Sequence, residues 1–170
     1  PNGELCLADA SDAAHSSVRD VVREYQAKYQ HIVYKKIENK GIAANTNAAA
    51  ELASGEYLAL ADHDDILAPH AMYTMGQAIR QLREAGEPDG FLYSDEALFT
   101  KKIEKPLVAH FKPDYAPDYL LCCNYICHLA VFRRELFEQA GGERSVCDGS
   151  QDHDLFLRLI EQVGGAAHVP

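Results

Sequence analysis

The sequence predicts an α/β domain of three layers, in which helices cover both faces of a mainly parallel β-sheet. Segments with the apolar pattern of strands alternate along the chain with segments that have helical spacing. The segment YLALA at 57–61 is apolar on both faces, which is typical of a strand buried between two helical layers. Three strand-like segments run into the acidic turns DASD, DHDD and YSDE. The fold would gather these turns at the carboxyl edge of the sheet, where ligands bind.

The start of the chain supplies two strand–helix units. ELCLA at 4–8 is a short apolar strand, and a helix begins near Ser17. That helix has apolar residues on one face, namely Val18, Val21, Val22, Tyr25 and Tyr29. HIVYKKI at 31–37 alternates as a strand does, and the alanine-rich segment 42–53 is helical and ends before Gly55.

The later elements follow the DHDD turn. A helix with Pro69 in its first turn has inward-facing residues, namely Met72, Met75, Ile79 and Leu82. FLY at 91–93 is a strand, and the Lys- and Pro-rich segment 99–117 is a long loop that we interpret as functional. We expect 126–132 to form a strand and 134–140 a helix. A last amphipathic helix is marked by Leu155, Phe156, Leu159, Ile160 and Val163.

The composition indicates one soluble globular domain. The 170 residues are 47% hydrophobic and 25% charged, and the formal net charge is −10 without any basic stripe. Because an acidic surface repels a phosphate backbone, we do not expect a nucleic-acid partner. An anionic ligand would need a cation or backbone N–H groups to bind here.

The five cysteines are best explained as small buried hydrophobic residues in a reducing compartment, because their number is odd and no zinc-type pair is present. No signal peptide or apolar run of about 20 residues is visible. We therefore expect a cytoplasmic location, with peripheral association at the inner face of the membrane left open.

The DHDD turn has two interpretations. It places Asp62, Asp64 and Asp65 around His63 directly after an apolar strand. In the first interpretation it is a solvated turn, in which Asp65 caps the following helix. In the second it binds a divalent cation such as Mn²⁺ or Mg²⁺, which prefers carboxylate oxygens and would neutralise the phosphates of a ligand.

Several motifs, in the right order, resemble family-2 glycosyltransferases with the GT-A fold. DHDD is similar to the Asp-x-Asp motif of that family, and ELCLADASD resembles its second strand and nucleoside-contacting turn. NKGIAANTNAAAELASGEY resembles the segment before the metal-binding strand. FKPDYAPDYLLCCNYICHLAVFRR looks like the acceptor-side segment of bacterial members that build O-antigen or other surface polysaccharides. GGERSVCDGSQDHDLFLRL resembles the segment with the catalytic base.

The resemblance implies an inverting transfer of a sugar from a nucleoside-diphosphate donor to a glycan or lipid-linked glycan acceptor. Asp9 would contact the nucleobase, and Asn39 lies in the matching donor-side segment. Asp62 would face the ribose and assist Asp64, which would bind the metal ion between the two phosphates. Residues 1–98 would then form the nucleotide-sugar and metal half, and residues 99–170 the acceptor half.

Asp152 matches the general base of the family. A base must be ionised to accept the proton of the acceptor hydroxyl, and the first turn of a helix favours a carboxylate. Asp152 also shares a helix face with Phe156 and Leu159, so it would point toward the sheet. The alternative is that Asp152 only stabilises the helix end, which Ser150 caps.

Four more residues are candidates on the acceptor side, namely Asp65, Asp95, Glu96 and His128. A polar strand end also explains Asp95 and Glu96, and His128 would also suit a core position. A cluster of lysines at 101, 102 and 105 would either meet an anionic lipid diphosphate or form a solvated loop. Arg158 would pair with a nearby carboxylate.

The sequence departs from the family in three places. The first strand unit of the family is absent, GGER stands where Gly-Gly-Phe is more common, and the chain ends at AAHVP, where relatives continue. We therefore expect a truncated domain with an unpaired strand edge, which favours dimerisation.

Two other functions remain open from the sequence. A metal-dependent nucleotidyltransferase or phosphohydrolase would use the same aspartates without needing Asp152 as a base. A non-catalytic module that binds a sugar nucleotide is the other alternative.

Overall fold

The computed structural model describes residues 3–15, 17–100 and 105–170. The strands are β1 (Leu5–Asp9), β2 (Ile32–Lys36), β3 (Tyr57–Leu60), β4 (Phe91–Ser94), β5 (Glu96–Leu98), β6 (Val108–His110), β7 (Ala130–Arg133) and β8 (Ala167–Val169). The helices are α1 (Ser17–Gln26), α2 (Ile42–Ala50), α3 (Ala71–Ala85), α4 (Pro117–Cys122), α5 (Arg134–Gln139) and α6 (Gln151–Val163). The lysines at 101 and 102 lie outside the described residues.

The main sheet has four strands in the order β3-β7-β4-β8. β7 runs antiparallel to β3 and β4, and β4 runs parallel to β8. The α/β class is confirmed, but the sheet is mixed rather than mainly parallel. The reason lies in the start of β7, where Ala130 pairs with Leu60 and with Tyr93, at the ends of β3 and β4. The chain therefore enters β7 at the carboxyl edge, which places the residues before Ala130 next to the acidic turns.

Helices cover both faces of this sheet, as expected for three layers. On one face, α6 packs its fully buried side chains Leu155, Phe156 and Leu159 against Phe91 and Phe132. On the other face, Met75 of α3 belongs to a second buried group, with Leu92, Leu129, Val131 and Val169. Burial of this apolar surface is the main source of stability, and it fixes the ends of β3 and β4.

β1 and β2 form a separate parallel pair. Within the described residues, β1 pairs only with β2 and β3 only with β7, so each keeps one free edge. Both strands border a cleft of about 450 Å³, lined by Leu5 to Ala8 on one side and by Leu58 to Ala61 on the other. α2 lines the same cleft through Asn45 and Thr46.

The apolar face of α1 is not buried, contrary to the expectation. Its exposed residues are Val18, Val21, Tyr25 and Tyr29. The helix lies against a sheet of only two strands, which is too narrow to cover it. Met72 also differs from the prediction, since it is 52% exposed beside the cleft next to β3 rather than facing inward.

Several boundaries differ from the sequence-based expectation. α3 begins at Ala71, so Pro69 lies in the turn before the helix. The expected loop at 99–117 contains β6, which pairs with β5, although residues 101–104 are outside the described part. β7 begins at Ala130 because the carbonyls of Ile126 and His128 accept hydrogen bonds from the Lys112 ammonium group.

The cysteines are not buried hydrophobic residues, which corrects the earlier interpretation. Cys122 and Cys123 are exposed, the other three are half-buried, and all five are free thiols. None of the helices in the described ranges is long and apolar enough to cross a membrane.

Candidate functional site

The DHDD segment forms an exposed turn directly after β3. The N–H group of Asp65 donates to the carbonyl of Asp62 over 3.2 Å, which closes the turn. All four side chains are exposed. Asp65 does not cap α3, because that helix begins six residues later with His70 as its N-cap residue. The turn is exposed to solvent, as the first interpretation expects, but the capping role that it gives to Asp65 is wrong.

Two of the three aspartates lie beside His128. The Nε2 atom of His128 is 3.2 Å from the Asp62 carboxylate, and Nδ1 is buried with no hydrogen-bond partner among the residues that the structure describes. Asp62, Asp65 and His128 each offer one ligand atom, and these three atoms lie within 4.8 Å of one another. Two carboxylates and an imidazole at this spacing fit a divalent cation such as Mn²⁺.

Asp64 is not one of these three residues, although the sequence analysis places it in the metal site with Asp62. It lines a second cleft of about 500 Å³, together with Asp62, Asp65 and His128. Asp95 and Glu96, at the end of β4, border the same cleft. The structure therefore brings six of the expected site residues to one cavity at the carboxyl edge of the main sheet.

Asp95 and Glu96 already have partners within the protein. Asp95 Oδ1 accepts from the N–H group of Lys112 at 2.9 Å and lies 2.8 Å from His168 Nε2. Burial raises the pKa of Asp95, but these two contacts outweigh it and hold the pKa below its usual value. Glu96 lies 3.0 Å from His110 and 3.2 Å from the Lys112 ammonium group.

Lys112 is a buried lysine that sequence reasoning missed. Its ammonium group donates to the carbonyl of His128 at 2.8 Å and also to that of Ile126. Burial lowers the pKa of Lys112, and the Glu96 carboxylate opposes that shift. The contacts fix the backbone that presents His128 to Asp62. The sequence feature that could have identified this buried lysine is its position between the apolar neighbours Phe111 and Pro113.

Asp9 and Asn39 lie in the two turns on the other side of the first cleft. Asp9 is buried and accepts hydrogen bonds from Ser11, Tyr34 and Lys36. Burial raises the pKa of Asp9, but those hydrogen bonds outweigh it and hold the pKa well below its usual range. Asn39 accepts from the N–H group of Gly41 at 3.2 Å and from Asn45 at 3.0 Å. Both side chains thus order the turns in which they lie.

Asp152 is half-buried in the first turn of α6. Ser150 is the N-cap residue but makes no capping hydrogen bond with its side chain. Burial raises the pKa of the Cys127 thiol, as do the carboxylates of Glu96 and Asp152, whereas Lys112 lowers it. Asp152 therefore lies near enough to Cys127, the residue before His128, for its charge to act on that thiol.

Glu143 is a second buried carboxyl group near Asp152. Its side chain is 4% exposed, and within the described part of the chain no N–H or O–H group donates to either oxygen. Burial, followed by the Asp152 carboxylate, raises the pKa of Glu143 to about 8. Sequence reasoning noted only that GGER is unusual. An acidic residue in the place of an apolar one was the signal that could have identified it.

Arg158 belongs to the framework around α6. Its guanidinium group contacts Asp154 at 2.8 Å and donates to the carbonyls of Ala140 and Gly142. The expectation that Arg158 pairs with a carboxylate is confirmed.

Comparison with known proteins gives a consistent result. Residues 4–141 match the family model described as glycosyl transferase family 2. The chain is 38% identical over 164 residues to the uncharacterized protein y4gI of Sinorhizobium fredii, which covers 95% of this chain and 17% of that protein. It is 32% identical to the O-antigen biosynthesis protein RfbC of Myxococcus xanthus, over 97% of this chain and 12% of that protein. The chain thus spans less than a fifth of the length of these two relatives.

A solved structure shares the fold. The mannosyltransferase PcManGT of Pyrobaculum calidifontis, in complex with GDP-Man and Mn²⁺, superposes with a TM-score of 0.64 and 20% identity. The match covers 98% of this chain and 45% of that one.

Proposed function

This chain belongs to glycosyl transferase family 2, and we propose that it forms the core of an inverting, metal-dependent sugar transferase. The donor is a nucleoside-diphosphate sugar and the acceptor is a hydroxyl group of a growing polysaccharide. The observation that supports this most directly is the grouping of Asp62, Asp65 and His128 at the carboxyl edge of the main sheet. The charge of Asp152, the expected base, also acts on the thiol of Cys127, next to His128. The division into a donor half at 1–98 and an acceptor half at 99–170 is part of the proposal.

Asp62, Asp65 and His128 are the residues that would hold a divalent cation, and Asp64 faces the same cleft. A bound Mn²⁺ or Mg²⁺ ion would offset the negative charge that develops on the departing diphosphate. Without it, this group of carboxylates would repel a diphosphate. A related fold that binds GDP-Man with Mn²⁺ supports the pairing of nucleotide and cation.

Asp9 and Asn39 would act on the donor side. Asp9, at the end of β1, accepts hydrogen bonds from Ser11 in the following turn and from Tyr34 and Lys36 of β2. Asn39 accepts from Gly41 in its own turn. Their role is therefore to order the turns that receive the nucleoside. The cleft of about 450 Å³ between β1 and β3 separates these turns from Asp62, which lines its wall.

Asp152 would act as the general base. It accepts the proton of the acceptor hydroxyl as that oxygen attacks the anomeric carbon from the face opposite the diphosphate. The bond between the anomeric carbon and the diphosphate oxygen breaks in the same displacement, and the electron pair leaves with the diphosphate. One displacement inverts the configuration at the anomeric carbon.

The acceptor would bind in the cleft of about 500 Å³ between the DHDD turn and β5. Asp95 and Glu96 shape its wall while they are held by Lys112 and His168. The relationship to a protein named for O-antigen biosynthesis supports a glycan or lipid-linked glycan as acceptor.

A binding experiment tests the donor and metal assignments. Thermal unfolding is measured with UDP, GDP, TDP and CDP, each with and without Mn²⁺. We expect stabilisation only when the cation and one of the nucleotides are both present. Asp62→Asn should abolish this response, whereas Asp20→Asn, a change of the same type on exposed α1, should preserve it. A response that survives in Asp62→Asn would contradict the metal site.

A further inference from the structure

Glu143 is buried in a way that an ionised carboxylate would not tolerate. Its side chain is 4% exposed, and no N–H or O–H group of the described residues donates a hydrogen bond to either carboxyl oxygen. A buried charge without a partner is strongly unfavourable, so the neutral acid is the stable form. Burial, and next the Asp152 carboxylate, raise the pKa of Glu143 to about 8. At neutral pH this side chain therefore has one O–H donor to offer.

The backbone of Glu143 is held firmly by α2. The Asn47 amide group donates to the Glu143 carbonyl at 2.8 Å and accepts from its N–H group at 2.8 Å. Gly142 has a φ of 71°, and a Cβ atom there would lie 2.5 Å from Asn47 Oδ1. This close approach requires glycine at 142, because a side chain would displace Asn47. The Glu143 side chain is thereby directed between α2 and α6.

The groups that face the Glu143 carboxyl group are few. Asp152 approaches from α6, Thr46 from α2 and Asp148 from the loop before α6, and all three influence its pKa. Arg144, the next residue in the chain, pairs with Asp154. Two of the three groups that act on the Glu143 carboxyl group are therefore carboxylates, and Asp152 has the greater effect.

We propose that Glu143 is a positioning residue for Asp152: as the neutral acid it donates a hydrogen bond to one oxygen of the Asp152 carboxylate. The other oxygen of Asp152 is then left to accept the proton of the acceptor hydroxyl. This inference rests on the proposed role of Asp152 as the base. Loss of the Glu143 proton would place two negative charges side by side in a partly buried site, which would turn Asp152 away.

The first test observes the proton directly and needs no catalytic activity. The carboxyl carbons of glutamate are labelled with ¹³C in this chain, and their NMR shifts are followed with pH. We expect one glutamate signal with a midpoint near 8, and that signal should be absent in Glu143→Gln. Asp152→Asn should lower that midpoint by about one pH unit, because it removes the neighbouring negative charge.

The NMR titration has one control variant and two outcomes that would overturn the proposal. Glu161→Gln changes an exposed glutamate of α6 and should leave the high midpoint unchanged. A Glu143 midpoint near 4 would overturn the proposal. So would a high midpoint that Asp152→Asn does not shift, because the two groups would then not be in contact.

The second test uses the pH dependence of sugar transfer. The wild-type kcat should decline above about pH 8, as Glu143 loses its proton. Glu143→Gln keeps a donor that cannot ionise, so its decline should disappear while activity at pH 7 stays close to wild type. Glu143→Leu removes the donor and should lower kcat about tenfold, with little change in the KM for the donor. Equal activity of the Gln and Leu variants would contradict a hydrogen bond to Asp152. If no transfer is detected, the NMR titration still decides the proposal for Glu143.

Discussion

Two groups of carboxylates lie at opposite ends of the main sheet, and they differ in how their charges are compensated. At the amino end of β4, Asp89 accepts hydrogen bonds from Arg83, Arg133 and Tyr57 at 2.6 to 2.8 Å. At the carboxyl end of β3, Asp62 and Asp65 are exposed beside the single imidazole of His128. The same residue type is thus structural at one end and available to a ligand at the other.

The hydrogen bonds at the amino end of β4 also determine the pKa of Asp89. Burial raises the pKa of Asp89, but its hydrogen bonds with Arg83, Arg133 and Tyr57 outweigh burial and hold the pKa well below the usual range. Glu56 completes this group through contacts to both arginines. A carboxylate that pairs with arginines of the same chain, as Asp89 does, contributes to stability. Carboxylates without such arginines, as in the DHDD turn, are better explained by a ligand from outside the chain.

The largest expected effect is a loss of sugar transfer when the proposed base, Asp152, is replaced. Asp152→Asn should lower transfer by about a thousandfold or more, because the amide cannot accept the acceptor proton. Stabilisation by nucleotide and Mn²⁺ should persist, since Asp152 is not among the residues placed around the cation. Radiolabelled sugar transfer and thermal shift measure the two properties separately. Loss of both would favour a phosphoryl-transfer enzyme, or a binding module, over a sugar transferase.

Replacement of Asp89, which pairs with two arginines, should change the stability of the protein rather than sugar transfer. Asp89→Ala leaves Arg83 and Arg133 without their shared carboxylate, and should lower the free energy of unfolding by about 3 kcal/mol. Urea denaturation measures this loss, with Asp20→Ala on exposed α1 as the control. In the intact protein the stability given by Asp89 is present above about pH 4, and it is lost as pH falls through the depressed pKa. An Asp89 variant as stable as wild type would remove the distinction between the two ends.

Glu143 lies between the two groups of carboxylates in how its charge is compensated. Among the described residues no arginine neutralises it, and the carboxyl group is instead protonated. The pKa is raised in the folded state, from 4.5 to about 8. Between these values the folded protein binds more protons than the unfolded chain, so the contribution of Glu143 to stability falls as pH rises. Glu143→Leu should reduce the decline in unfolding free energy between pH 5 and 8 by roughly 3 to 4 kcal/mol. Urea titrations at both pH values measure it, and an unchanged slope would show that Glu143 ionises normally.

The smallest effect is expected from the exposed cluster. Asp65→Asn removes one charge from a repelling group, so without metal the melting temperature should rise by about 1 °C. With Mn²⁺ and the nucleotide that stabilises the wild type, the variant should gain less stability than wild type. Differential scanning fluorimetry at low and high salt would distinguish repulsion from a local packing change, since salt screens only the former. A fall in the melting temperature without metal would place Asp65 among the structural carboxylates.

The sequence was sufficient for the class of fold and for the meeting of two of the three acidic turns, DHDD and YSDE. The third turn, DASD, follows β1, which belongs to the separate pair with β2. Apolar periodicity identifies β3 and β4, and the turns that follow them must share an edge when the strands run in the same direction. The direction of β7 was not predictable, because it depends on the edge at which the chain returns after Lys112. For the same reason, nothing local indicated that His128 contacts Asp62 or that the neutral form of Glu143 is favoured. Those properties arise from contacts between residues distant in the sequence.

The separation of β1 and β2 from the main sheet has a consequence for amide hydrogen exchange. The pair is supported by α1 and α2. The largest group of buried side chains lies instead beneath the four strands of the main sheet. Local opening of β1 would expose few apolar side chains, so it costs less free energy than opening β4 or β7. In deuterium solvent, the amides of 5–9 and 32–36 should exchange much earlier than those of 91–94 and 130–133. The part of the chain with Asp9 would thus sample open states while the edge with Asp62 stays folded.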